Sequence, residues 1–459
     1  MAMTAAVMVD VAVHAQPASV ASAVAIGVGA VLVGCGTDRR RPAVVIPLVL
    51  AVAAGMLLIV RDSAWVVGPV GLFAVTAITV AAADQLFAPE RWPRAAADQV
   101  LAVIDTFGLM VGYITNQLNV TTGAKASMIR GLIMAAVVTT PLVLLLASAD
   151  AVFGALLRST AGPGIWRHIV IVLSVTPVAL SLAVTADRTP SIGGGRSRSR
   201  TGSMTEATIV LGAVVAVLAV WGATQIMVAL GGAERLLATA GLTAAQNARQ
   251  GFFQLVAATA LLVTIVAAID HLTDRTSAAD RRCFLVLTSL VGIETLGLVV
   301  AAYSRLALYV SRFGTTMLRL SVAWFLAWLA LVLVVLIVSV NHRRAGRASS
   351  VAQAGGVALV LAGIWMVAFG LTNPEATVAS TNLERAQSAP ADVEYLFLDL
   401  GPDAVPAIVE RLDQLGAGDR ARLRDGLCTR PTADTGRFLT WNRSRAQAHD
   451  ALAALACPS

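Results

Sequence analysis

Residues 283–340 read CFLVLTSLVGIETLGLVVAAYS, then RLALYVSRFGTTM, then LRLSVAWFLAWLALVLVVLIVSV. Two apolar runs of 22 and 23 residues flank a short arginine-bearing loop. A helix needs about 20 apolar residues to cross a bilayer core, so each run is long enough to span. Near the middle of the first sits Glu294, a carboxylate placed deep in a span. The rest of the chain repeats this pattern. Of 459 residues, 57% are hydrophobic and only 13% are charged, well below the roughly 25% of a soluble domain. The fold class that fits is all-α: a polytopic membrane bundle. Lysine occurs once, at Lys125, and alanine is abundant, a composition expected of a GC-rich bacterial genome.

Apolar runs bounded by charge give ten spans, near 18–36, 42–60, 64–83, 129–149, 167–186, 207–230, 251–270, 283–304, 318–340 and 351–371. The stretch 99–115 is apolar but short and carries Asp105, so it reads as interfacial. Basic residues arbitrate. With 99–115 on the surface, alternating short loops place 17 Lys and Arg on one side and 8 on the other. If it spans, the split becomes 12 against 13. The positive-inside bias favours ten spans with both termini outside the cytoplasm of a bacterial plasma membrane. The first 17 residues hold no Lys or Arg, so the first run is expected to stay as an uncleaved span. Residues 1–371 form the bundle in this reading. A flexible cytoplasmic linker near 188–206, containing SIGGGRSRSRTGS, either touches anionic lipid or only orients the chain.

Residues 372–459 read as a small helical extracytoplasmic domain. In DAVPAIVERLDQL, Val405, Ile408, Val409 and Leu412 fall on one helical face. Asp403 can cap the start, and Pro406 is tolerated in the first turn. Further helices are expected near 419–427 and 443–456. From residue 371 onward the net charge is −3, and the remainder is +10, so the overall +7 marks loops between spans rather than a nucleic-acid partner. Cys428 and Cys457 both lie in the tail, where an oxidising compartment permits a disulfide; two unrelated thiols are the alternative.

Glu294 is the first candidate for chemistry. It is either a proton or cation site facing a watery cavity, or a protonated group that glues helices together. Thr140-Pro141 and Thr176-Pro177 place prolines in the middle of two spans. Proline frees the carbonyl four residues back, which in transporters can hold an ion, or which threonine hydroxyls satisfy in an ordinary kink. Asp150 can cap a following short helix, DAVFGALLR, or meet an outer arginine such as Arg249 or Arg305. The five histidines are dispersed, and no Walker A loop, GxSxG elbow, HExxH or CxxC occurs. No catalytic residue, metal ligand or cofactor is therefore assigned. Membrane glycosyltransferases place paired acids in the first outer loop, whereas this chain offers only Asp10 and, in a tight turn, Asp62.

Several blocks together carry a family resemblance. They are LLASADAVFGALL at 145–157, GLTAAQNARQGFFQL at 241–255, SRLALYVSRFGTTMLRL at 304–320, and the tail segments NPEATVASTNLERA and DVEYLFLDLGPDAVPAIVERL. In this order they resemble a bacterial multi-pass membrane family, domain of unknown function 4173, which is related to 4153. The resemblance covers about 148–412 and implies no activity. It marks Asp150, Arg249, Phe252, Arg305, Tyr309, Gly314, Thr316 and Arg319 as motif positions. Thr315-Thr316-Met317 departs from the Leu-Thr-Arg expected after the glycine, and Glu294 has no counterpart in the family pattern. Asp150, Arg249, Arg305 and Arg319 all fall at outer span ends, where they could form an ion-paired collar or an anion site for a lipid headgroup.

Three functions stay open: an envelope scaffold or sensor whose tail binds a partner protein, a transporter working through Glu294 and kinked spans, and a membrane enzyme on a lipid-borne substrate. Membrane lipids are partners in all three.

Overall fold

The computed structural model describes residues 18–36, 42–86, 124–161, 203–228, 230, 252–273, 275, 277–341, 350–387, 392–430 and 438–455. Every regular element among them is helical: α1 Val20–Gly36, α2 Pro42–Val60, α3 Ala64–Leu86, α4 Ala124–Ala149, α5 Ala151–Ala161, α6 Met204–Met227, α7 Phe252–Leu272, α8 Ala278–Phe313, α9 Met317–Asn341 and α10 Ser350–Leu371. The tail follows with α11 Pro374–Arg385, α12 Val393–Leu398, α13 Val405–Arg411, α14 Ala417–Cys428 and α15 Arg443–Ala454, joined in part by short 3₁₀ turns. Five described helices are long and apolar enough to cross a membrane: α3, α4, α6, α8 and α9. A sixth arises if Gly356–Leu371 and Pro374–Arg385, bent by 50°, count as one span. Three shorter apolar helices, Val20–Cys35, Val45–Val60 and Gln254–Asp270, accompany them. The chain is thus a helical membrane protein.

The bend after α10 has a local cause. Asn373 adopts φ 50° and its side chain accepts from the Ala376 amide, while Pro374 starts the next helix. A new, polar helix begins there, so α11 belongs to the tail.

Helix α8 differs from the sequence expectation. It is 36 residues, about 54 Å long, and runs straight through the arginine-bearing segment expected to be a loop. No Gly or Pro interrupts 298–313, so nothing stops the helix before Gly314. The turn shrinks to 314–316, where Gly314 has φ 79°. Buried Phe284, Thr288, Val291, Thr295, Leu298 and Ala302 form its packed stripe. Thr288 and Thr295 donate to the Phe284 and Val291 carbonyls one turn back, so their hydroxyls are satisfied. On other faces Val286, Ile293 and Val300 are exposed, the all-round apolarity of a lipid-facing helix. The linker expected to reach residue 206 ends sooner. Ser203 and Glu206 form a capping box that starts α6 at Met204.

The chain divides into two compact units. One comprises Met1–Trp92, Val310–Trp328 and Gly355–Ser459, the other Pro93–Tyr309 and Leu329–Ala354. In the first, α2 and α3 form a tight antiparallel pair around Ala51, Ala54, Leu58, Val70, Phe73 and Ala77. Helix α10 packs on them through glycine: a Cβ at Gly363 would lie 2.5 Å from Phe73 Cζ, and one at Gly370 2.5 Å from Leu57 Cδ1. The tail has its own core, including Val378, Leu396, Ile408, Leu423 and Leu427, which also takes in Met317 of α9. In the second unit, α4 lies against α6, with Gly131 facing Ile209, and α8 meets α9 where Gly292 faces Ile337.

Candidate functional site

The short connection between α2 and α3 reads Arg61-Asp62-Ser63. The end of α2 leaves carbonyls without partners and the start of α3 leaves amides without them. The tail supplies both. Asp403 Oδ2 accepts from the Asp62 amide at 2.9 Å and the Ser63 amide at 2.7 Å. This is an N-cap delivered from elsewhere in the chain, and it corrects the sequence expectation: α13 begins without a side-chain cap, because Asp403 serves α3 instead. Asn442 Nδ2 donates to the Leu58 and Arg61 carbonyls, both at 2.9 Å, while its Oδ1 caps α15 through the Ser444 and Arg445 amides.

Charge pairs reinforce this seat. Arg445 reaches Asp62 Oδ1 at 2.9 Å and also donates to the Ala18 and Thr440 carbonyls. Arg61 donates to the Gly370 and Leu371 carbonyls at the end of α10 and lies 3.9 Å from Asp403 Oδ1. Asn373 donates to the Asp403 carbonyl at 3.1 Å. Buried Glu375, in the first turn of α11, accepts from the Gly401 amide at 2.8 Å.

Three carboxylates therefore share one buried place with two arginines. Burial pushes Glu375 up to about 7, the charges of Asp403 and Asp62 add to the rise, and the Ser63 hydroxyl and Gly401 amide oppose it. Asp62 is pushed up to about 6, again by burial, with Arg445 pulling down and Asp403 pushing up. Burial lowers the Arg61 and Arg430 guanidinium values, against the pull of Asp403 and Glu375 respectively.

The second tail contact uses the turn 314–316. Asn382 donates to the Thr315 carbonyl at 2.7 Å and accepts from the Thr315 amide at 3.0 Å, as another strand would. Tyr395 Oη accepts from the Met317 amide at 2.9 Å. Arg319 donates to the Phe313 and Gly314 carbonyls and so closes the end of α8. The motif blocks around 314–319, 373–386 and 392–412 thus meet each other.

In the second unit, Asp150 plays both roles that the sequence left open. Its Oδ1 accepts from the Phe153 amide at 2.8 Å and caps α5, while Oδ2 accepts from Gln225 at 2.9 Å and from Arg305. Arg305 also donates to the Ala149 carbonyl at 2.9 Å and to Gln225 Oε1 at 3.1 Å. Gln225 was not among the sequence candidates. The signal for it was a lone amide in the apolar run WGATQIMV. Arg130 with Glu206, and Arg275 with Asp270, tie other helix ends of this unit.

The remaining candidates fare differently. Of the expected collar, Asp150 and Arg305 meet in one unit, Arg319 belongs to the other, and Arg249 lies outside the described residues. Helix α4 passes unbroken through Pro141, with the Thr139 and Thr140 hydroxyls bonded to the Ala135 and Ala136 carbonyls. Thr176 and Pro177 lie outside the described residues. Glu294 sits mid-helix in α8, and its Oε2 is buried with no hydrogen-bond partner among the described residues. Cys428 is disulfide-bonded, and Cys457 lies outside the described residues. No group of three His, Cys, Asp or Glu able to hold a metal occurs among the described residues.

Chemically, the seat is a lock. Most of its donors and acceptors are spent on one another and on helix ends, while the Ser63 hydroxyl, Asp403 Oδ1 and Arg445 Nε are buried without a hydrogen-bond partner among the described residues, and burial pushes Glu375 and Asp62 up to about 7 and 6. A family model described as Domain of unknown function (DUF4153) matches residues 11–411. The match names 4153 rather than the related 4173. No curated protein and no solved structure matches the chain.

Proposed function

This chain belongs to the family described as Domain of unknown function (DUF4153), and from that premise we propose that it is a bacterial plasma-membrane scaffold or sensor of about ten spans, whose outer tail offers a fixed surface to an envelope protein. The observation that carries this reading is the buried seat. Asp403 and Arg445 tie the tail to the ends of three helices, so the tail is held in one pose rather than tethered. A fixed pose suits recognition, because little ordering entropy is lost on binding.

Parity supports the span count. The turns 61–63 and 314–316 both contact the tail, so they lie at one end of their unit. An even number of crossings then separates them. Five apolar helices, α3, α4, α6, α7 and α8, lie between. With α7 counted as a span, the sequence adds one more apolar run between these turns, 167–186, and its reading of 99–115 as interfacial keeps the count even. The basic-residue bias then puts these turns and the tail outside.

The enzyme reading loses ground because Arg305, its anion-binding candidate, is neutralised by Asp150 inside a helix junction. One observation favours transport as the second reading: the buried Oε2 of Glu294 has no hydrogen-bond partner among the described residues. The test replaces Glu294 with Cys in a variant lacking Cys35 and Cys283 and applies small water-soluble maleimides from each side. No labelling of the folded protein is expected. Rapid labelling reveals an aqueous path to mid-membrane and puts transport first. In parallel, a photo-crosslinker at exposed Leu398 should trap one defined envelope protein, and a trap with no defined partner counts against the scaffold.

A further inference from the structure

Residues 438–445 carry their polarity inside out. Asn442, Ser444 and Arg445 are at most 3% exposed, whereas Phe438 is 79% exposed, Leu439 44% and Trp441 37%. A surface washed by water puts large apolar groups inside and charge outside. Here the Asn442 and Arg445 side chains hold helix ends, and the apolar ones are exposed.

Hydrogen bonds fix the height of this segment. The Val20 amide, in the first residue of α1, donates to the Trp441 carbonyl at 3.3 Å. Asn442 holds the Leu58 carbonyl, two residues before the end of α2. The segment is therefore level with the ends of two apolar helices. About 6 Å further along those helices, one turn, Val24 and Met56 are exposed apolar side chains. With α1 and α2 set in a bilayer, this height is that of the headgroup region, where tryptophan is enriched and where a cation can meet lipid phosphate. Arg443, next to Trp441, is exposed at that level.

We propose that residues 438–443 form a membrane-interface anchor, with Phe438, Leu439 and Trp441 inserted at the acyl–headgroup boundary of the bilayer that the helices cross, and Arg443 on lipid phosphate. The tail is then held twice, by the buried ion pairs and by lipid. This rests on α1 and α2 lying in the membrane.

The test uses the full chain with Cys35 and Cys283 changed to Ala, reconstituted in phosphatidylethanolamine–phosphatidylglycerol vesicles. A nitroxide is placed at Phe438→Cys, and its collisions with oxygen and with a water-soluble nickel chelate are compared. Val49→Cys, on the exposed face of α2, serves as the lipid reference, and Asp413→Cys, whose side chain is 94% exposed on the tail, as the water reference. The anchor predicts an oxygen-to-nickel ratio at 438 several-fold above that at 413. A ratio equal to that at 413 overturns it, and so does a label shielded from both reagents, which means that protein covers the segment. If the label at 49 also reads as watery, the placement of α2 in the membrane is what fails.

Discussion

Replacing Asp403 with Ala should open the seat between the tail and the first helical pair. The Asp62 and Ser63 amides lose their common acceptor in a buried turn, and each unsatisfied donor costs about 1–3 kcal/mol. Arg61 loses its nearby carboxylate but keeps the Gly370 and Leu371 carbonyls, so that loss is small. Some energy returns, because the Asp403 charge works against its neighbours Glu375 and Asp62. The balance is a loss of about 3 kcal/mol, equivalent to roughly 100-fold in the local opening constant. Hydrogen exchange read by mass spectrometry on the protein in lipid nanodiscs reports that opening at the amides of 61–63. They should exchange about 100-fold faster in Asp403→Ala than in the parent. Asp403→Asn keeps an acceptor oxygen and should lose much less. Asp419→Ala is the control. It breaks an exposed pair with Arg422, worth at most about 0.5 kcal/mol, and should leave 61–63 unchanged. If Asp403→Ala speeds exchange there by less than about threefold, the seat is not held by this cap and the reasoning is wrong.

Other expectations follow from the same geometry. Glu375 has a folded value of about 7 against an ordinary 4.5, so the native state holds the extra proton between them. Stability of the seat is full below about 4.5 and falls as pH rises through about 7, by at most roughly 3 kcal/mol, and Glu375→Gln should flatten that slope in thermal scans across pH. Gly363→Ala forces a Cβ to within 2.5 Å of Phe73 and 3.0 Å of the Leu50 Cβ, and should lower the melting temperature by an overpacking cost of about 1–3 kcal/mol. Arg305→Met strands the buried Asp150 charge and should cost about 3–5 kcal/mol, seen as faster exchange around 148–154, whereas an unchanged rate there shows that Gln225 alone suffices.

Sequence reading and structure part company at identifiable residues. The stripe Val405, Ile408, Val409 and Leu412 was visible as a helix face; Val405, Ile408 and Leu412 are buried in the tail core, and Val409 packs half-buried against it. The segment 305–313 looked like a loop because its arginines are polar, yet helix formation depends on the backbone, and nothing in it breaks a helix before Gly314. Asp150 showed two local roles, and the structure lets one carboxylate serve both, since its two oxygens point to different partners. Asp62 appeared as an unremarkable acid in a tight turn. Its partner Arg445 lies 383 residues away, and no local pattern connects them.

The amino-acid order by itself determined the class of this protein and the positions of most of its helices. Hydropathy and helix propensity are local sums, and a run of over 20 apolar residues can satisfy its backbone in a bilayer in few other ways. What it could not determine is where charge goes once the helices are packed. Asp403, placed by its neighbours to cap its own helix, caps α3, and Arg445, in the first turn of the last tail helix, is buried against Asp62 and the start of α1. Those choices belong to the tertiary structure, because the ends of helices need partners and only the folded tail brings them within reach.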